Sequence, residues 1–289
     1  MAVDYEPLWR WVREREAIRV KKERGDSMPW TDDRILGVYR FCNVRREDDR
    51  VTVWIRQNVR EAFAGHPLLW LMLCICRQIN WPDTIEELIH GEGSWPVDGG
   101  FDPMRLAAVL SARKERGDKV YTGAYVIPAP STRGADKQAY VAGVVVGDLW
   151  RRRDEFADWS LAAGRTLEGT HARIRRSTGW GAFLAYQAVV DMRFTPLLGG
   201  VSDVATWAAA GPGTIRGLNR LHGRPLGSSL SQSWALGEMR EIYALAPSAT
   251  GVLLDFSDVP NILCETDKYL RVLGDEGRPR ALYVPGRGS

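Results

Sequence analysis

The chain has 289 residues, enough to bury a large core as one elaborated domain or two joined ones. Hydrophobic residues make up 45% and charged residues 26%, ordinary values for a soluble globular protein. Its 39 Lys and Arg against 36 Asp and Glu leave a net charge of +3, which neither demands nor excludes nucleic acid, so the distribution of charge must decide.

In chain order, residues 1–30 read as an N-terminal helical extension with a basic stretch from Arg10 to Arg24, and residues 31–289 as the main region. The acidic, Trp-containing start is not a signal peptide. After Asp48 and Asp49, which can cap a helix, Val51, Trp54, Ile55, Val59, Ala62 and Phe63 recur at helical spacing. The apolar run Leu68 to Cys76 is too short to cross a bilayer, and Cys74 and Cys76 within it read as small core hydrophobes. Asp102-Pro103, Met104 to Arg116 and Gly117 give an N-cap, an N1 proline, a helix and a glycine stop.

Val120 to Ile127 and Tyr140 to Val146 read as strand-like, with a loop over Pro128 to Asp136 between them. Ser231 to Ala246 and Asp258 to Leu273 read as helices, the second with Leu263, Tyr269, Leu270 and Leu273 on its apolar face. The fold class is therefore mainly α with few short strands. Cys42, Cys74, Cys76 and Cys264 form no disulfide framework, and His66, His90, His171 and His222 lack ligand spacing, so a structural zinc is not expected and no residue is assigned to a metal. A reducing cytosol is the implied compartment.

Four segments can carry chemistry. In the first, Arg173, Arg175 and Arg176 lead into Gly179-Trp180-Gly181 and a helix rich in small residues, Ala182, Ala185 and Ala188. A G-x-G turn between two helices lets backbone amides approach a phosphate, and an ordinary helix–turn–helix corner is the plainer reading. In the second, Ala210 to Leu221, Thr214 reads as an N-cap after Gly211-Pro212-Gly213, Gly223 as a stop, and Arg216 and Arg220 share a face. Exposed amides and two guanidinium groups make a phosphate cradle.

The third segment runs from Tyr39 to Ile55. Its dense charges are either a surface ion-pair network or a polar constellation of Asn43, Arg45, Asp48, Asp49 and Thr52 that grips a base edge or an amino acid. In the fourth, Asn261, Glu265 and Lys268 stand at i, i+4 and i+7, a polar stripe opposite an apolar face or a plain surface pair.

Together the stretches YRFCNVRREDDRVTVWI (39–55), GWGAFLAYQAVVDMRFT (179–195), AGPGTIRGLNRL (210–221) and NILCETDKYLRVLGDEGRPR (261–280) resemble the α-glutamyl/putrescinyl-thymine pyrophosphorylases, or amino acid:DNA transferases. The first segment is also similar to the helix-hairpin-helix of DNA glycosylases, near 171–194. The resemblance implies a helical, glycosylase-like fold and a reaction on double-stranded DNA in the cytoplasm of a phage-infected host. A kinase first activates 5-hydroxymethyluracil, and the transferase then displaces phosphate or pyrophosphate with a free amino acid or amine such as glycine.

Under that resemblance Glu265 is the first choice of base, with Asp49 and Asp191 behind it and Lys268 beside it. Arg216, Arg220 and Thr214, supported by Arg40 or Arg45, hold the leaving group. Tyr39, Asn43, Asp48, Thr52, Tyr186, Gln187 and Asn261 bind the base or the amine. Arg173, Arg175, Arg176, Gly179, Gly181 and Gly213 grip the DNA backbone. Base flipping is implied, and no cofactor or membrane partner is. Two rivals remain: a DNA glycosylase, whose catalytic Asp position is here taken by Gly211-Pro212-Gly213 or supplied by Asp203, and a non-catalytic helix-hairpin-helix DNA-binding module.

Overall fold

Asp102 accepts the Met104 amide at 2.8 Å, Pro103 fills the first helical position and Gly117 turns at φ +79°, so a helix runs over Pro103–Glu115. The computed structural model describes residues 3–97, 99–132, 134–279 and 282–283, the side chains of 160 and 161 excepted. It is mainly helical, with 57% helix and no strand among the described residues; Tyr39 and Leu282 form one isolated antiparallel bridge.

The helices begin with α1 (Glu6–Glu23), α2 (Arg34–Val38), α3 (Arg50–Ile55), α4 (Leu69–Ile79), α5 (Pro82–His90) and α6 (Pro103–Glu115). They continue with α7 (Lys137–Ala139), α8 (Gly147–Arg151), α9 (Arg153–Leu161), α10 (Leu167–Ile174) and α11 (Ala182–Arg193). The last three are α12 (Pro212–Leu221), α13 (Gln232–Thr250) and α14 (Asp258–Leu273). Five π-helical residues, Arg56–Arg60, extend α3, and a longer π segment, Tyr140–Val146, joins α7 to α8.

The chain divides into two units, one formed by residues 1–52 with 205–289 and the other by 53–204. The division does not fall at residue 30. Instead α1 packs on α13 and α14 through Leu8, Trp9, Trp11 and Val12, so it is part of the first unit's core. In that unit α12 crosses α14 closely: a Cβ at Gly213 would overlap the Cys264 sulfur, and one at Gly217 would stand 2.5 Å from the Leu263 carbonyl oxygen. Only glycine permits this approach.

The second unit is built on α4, whose every residue from Leu69 to Ile79 is buried. Cys74 and Cys76 are fully buried there, as small core residues. Helix α4 packs against α11 and α5, and each fully buried aliphatic side chain contributes roughly 1.5–3 kcal/mol.

Two expected strands are corrected. Tyr140–Val146 is π-helical, with Val141, Ala142, Val145 and Val146 buried, a spacing that suits a helix packed on α6. The β-branched run favours a strand locally, and tertiary packing overrides that preference. Val120 to Ile127 forms turns and irregular backbone rather than a strand. Among the described residues no helix is long and apolar enough to cross a membrane.

A loop clamped by carboxylates in the first unit

The segment 41–49 is held by two apolar anchors. Phe41 lies between Trp11 of α1 (ring centroids 6.3 Å) and Tyr269 of α14 (6.3 Å), and Val44 is fully buried. Between these anchors the backbone turns its polar groups toward charged side chains. Glu265 Oε2 accepts the Cys42 amide at 2.9 Å and the Lys268 ammonium at 2.7 Å. Asp49 Oδ1 accepts the Asn43 amide at 2.9 Å, and Asp258 Oδ1 accepts the Arg46 amide at 2.8 Å. Arg15 of α1 donates to the Cys42 carbonyl at 3.0 Å and to Asn43 Oδ1 at 2.5 Å. Asn261 Nδ2 donates to the Asn43 carbonyl at 3.1 Å.

Burial sets the electrostatics of this cluster. It pushes the Asp49 carboxyl up to about 6, against a partial offset from the Asn43 amide, and the Asp258 carboxyl up to about 7. Lys268 also sits 4.6 Å from the Phe41 ring centroid, a cation–π placement that keeps its ammonium beside Glu265. Arg45 donates to Asp48 at 2.8 Å and reaches Glu16 of α1 at 3.2 Å, while Arg19 lies 3.4 Å from Asp48. Thr52 is buried, and Tyr39 is half-buried at the Leu282 bridge.

Cations with no carboxylate partner stand at the two ends of the loop. Arg40 and Arg50 are exposed, and neither is ion-paired among the described residues. Both lie close enough to Lys22 of α1 to help its burial draw the ammonium below its ordinary value. Such a collection of like charges favours a bound anion.

Arg216 and Arg220 face elsewhere. They donate to Asp267 at 3.2 and 3.0 Å, and Arg220 also pairs with Glu276 at 2.7 Å. Glu265 and Asp267 are two residues apart, about 200° around a helix, so α14 separates these arginines from the loop 41–49. Thr214 is inside α12 rather than its N-cap, which is Gly211; the buried Thr214 hydroxyl donates to the Pro260 carbonyl at 3.1 Å. Gly213 is occupied by the crossing with α14. Gly223, at φ +63°, does end α12.

The remaining expected site residues belong to the second unit. Asp191 is fully buried and takes both Arg77 Nε (2.5 Å) and Nη2 (2.7 Å). Tyr186 and Gln187 are buried on α11, Gln187 accepting from the Tyr125 hydroxyl at 3.4 Å. Arg173 pairs with Glu155 at 2.6 Å and covers Trp159, whereas Arg175 and Arg176 are exposed and unpaired among the described residues. Gly179 turns at φ +78° against Val145, and Gly181 caps α11 with open space over its Cα. A shallow groove of about 530 Å³ between α5 and α6, lined by Glu86, Glu87, His90, Arg113 and Arg116, contains none of the expected residues.

The family model for the 5-hmdU DNA kinase helical domain matches residues 3–278. The chain belongs to that family. A 5-hmdU DNA kinase of Bacillus phage SP10 is 26% identical over 213 residues, which are 68% of this chain and 32% of the phage protein. A hydroxylamine reductase of Petrotoga mobilis is 34% identical over 67 residues, 23% of this chain and 12% of that enzyme. The chain thus spans about a third or less of the length of these curated relatives. No solved structure matches.

In this member of the 5-hmdU DNA kinase helical-domain family, none of the six lysines is followed by Ser or Thr, so the sequence contains no G-x-x-x-x-G-K-[ST] phosphate loop. Sequence reading missed Arg15, Glu16, Asp258 and Arg50. Arg15 and Glu16 sit 24 or more residues before the loop they brace, and nothing in their local pattern announces it. Asp258 was legible only as a helix start, and Arg50 as one charge among many.

Proposed function

We propose that the chain works in thymine hypermodification of phage DNA, displacing phosphate or pyrophosphate from activated 5-hydroxymethyluracil with an amine such as glycine. The observation that carries this reading is the gathering of Asp49 with Glu265 and Lys268 of α14 around one braced loop, whose ends hold the unpaired Arg40 and Arg50. The 5-hmdU DNA kinase relative supports the substrate class, and a kinase of that kind would supply the activated DNA.

The amine nitrogen attacks the methylene carbon as the carbon–oxygen bond breaks. One amine proton passes to a carboxylate, and the oxyanion leaves with the electron pair. Asp49, its carboxyl pushed up to about 6 by burial, suits proton acceptance better than an ordinary carboxylate. Glu265, already bonded to an amide and an ammonium, suits holding the loop and the incoming amine. Arg40 and Arg50, with Arg45 behind them, suit the departing anion. Arg216 and Arg220, tied to Asp267 on the far side of α14, are released from the leaving-group role. The second unit, through Arg175, Arg176, Gly179 and Gly181, holds the DNA backbone. The reaction belongs in the cytoplasm of the infected host, and extrusion of the target base is part of the proposal.

A second reading is favoured by one observation: the family match is to a kinase's helical domain. On that reading it presents DNA to the catalytic part of a kinase. Mass analysis of nucleosides decides, after mixing the protein with kinase-activated DNA and a panel of amines. A heavier, amine-bearing nucleoside supports transfer, unchanged nucleosides support presentation, and free base supports excision.

A further inference from the structure

Phe183, the second residue of α11, is 54% exposed although it is a large aromatic. Its ring is held. Tyr125 packs edge-on against it, with centroids 5.0 Å apart and planes at 84°, and neighbouring Val126 is 93% exposed. A single exposed Phe is commonplace on protein surfaces. This one stands on a stiff corner: His171 Nε2 bonds the Ala182 carbonyl at 2.9 Å, Trp180 donates to the Val145 carbonyl at 3.2 Å, and Gly179 abuts Val145.

The same corner is cationic. The His171 bond ties α10 to the start of α11, and Arg175 and Arg176 stand in the short segment that joins the two helices. Both guanidinium groups are exposed and unpaired among the described residues. The acid on this corner, Asp148, is already engaged by the Thr178 amide (2.9 Å) and by Arg151 (3.2 Å).

We infer that Phe183, braced by Tyr125 on the corner that also carries Arg175 and Arg176, is a wedge that stacks on an unstacked base of a DNA strand. An exposed, braced ring on a corner that also carries unpaired guanidinium groups fits that occupant: phosphates meet the arginines, and the ring meets a base face. A protein surface of equal apolarity would not call for two unpaired cations. The inference rests on the DNA-acting reading above and adds a residue to it that the sequence did not single out.

The test is equilibrium binding by fluorescence anisotropy to two short duplexes, one fully paired and one with a single mismatch, across a salt series. The wild type is expected to bind the mismatched duplex more tightly. Phe183→Ala should weaken that binding about fivefold to a hundredfold and erase the preference, with the salt slope unchanged. Phe183→Trp should keep the preference. Arg175→Ala and Arg176→Ala should weaken both duplexes alike and each lower the salt slope by about one. Circular dichroism confirms the fold of each variant.

Equal binding by wild type and Phe183→Ala overturns the wedge while leaving the transfer reaction to the nucleoside assay. A wild type with no DNA affinity, or one whose self-association alone depends on Phe183, overturns it too. Neither substrate activation nor an amine enters the measurement, so a failed transfer assay leaves this result standing.

Discussion

Glu265 and Asp267 are two residues apart on α14 and serve opposite sides of it: Glu265 bonds the Cys42 amide and Lys268, and Asp267 bonds Arg216 and Arg220. The two carboxylates therefore have separable consequences. Glu265→Gln removes the negative charge beside the loop and should cut amine transfer by about a hundredfold or more. Asp267→Asn leaves two guanidinium groups underpaired and should lower stability by about 1–3 kcal/mol, with turnover per folded molecule retained. Urea unfolding alongside the nucleoside assay separates the outcomes; equal activity loss in both variants would restore the far-side arginines to the mechanism.

The Asp49 carboxyl is pushed up to about 6 by burial, so two pH effects of opposite sense follow. Proton acceptance needs the carboxylate, and transfer should rise as pH climbs through about 6. Folding prefers the protonated form. The contribution of Asp49 to stability is fully present below the ordinary aspartate value and is lost as pH rises toward about 6, an effect of roughly 3 kcal/mol. Asp49→Asn should flatten the acid limb of the pH–rate profile at a much lower rate. A profile whose limb survives the substitution assigns the proton to another group.

Gly217 packs on the Leu263 backbone, and a methyl group there would stand 2.5 Å from the carbonyl oxygen. A carbonyl inside α14 cannot step aside as a flexible side chain would. Gly217→Ala should therefore push α12 from α14 and lower stability by about 1–3 kcal/mol. An unchanged urea midpoint would show that the crossing has slack.

Much of the helical order was legible because punctuation is local. Asp102-Pro103 and Gly117 bracket α6, and Ser231 caps α13 by accepting the Trp234 amide at 3.2 Å. What escaped depends on tertiary neighbours. The run Tyr140–Val146 looks extended by composition and becomes helical because α6 covers Val141, Ala142, Val145 and Val146. The candidate site was half legible: Asn43, Asp49, Asn261, Glu265 and Lys268 do meet. Arg216 and Arg220 do not join them, because a two-residue step on α14 reverses direction. Arg15 was invisible, since its bonds to Cys42 and Asn43 span 27 and 28 residues.

The Arg77–Asp191 pair tests whether a carboxylate offered by sequence for catalysis is a structural one. Both side chains are almost wholly enclosed, at 2% and 1% exposure, and Arg77 also donates to Asn80 Oδ1 at 3.1 Å. A substrate would have to displace α4 or α11 to reach Asp191. Removing one partner leaves an uncompensated buried charge, so Asp191→Ala should destabilise by about 3–5 kcal/mol. Replacing both, as Arg77→Met with Asp191→Leu, should recover most of that loss, because well-packed apolar side chains substitute for a buried pair at little net cost. The double variant should then transfer amine at a rate close to wild type. A double variant that is folded, binds DNA and is catalytically dead would place Asp191 in the chemistry, and the role given to Asp49 would have to be shared with it.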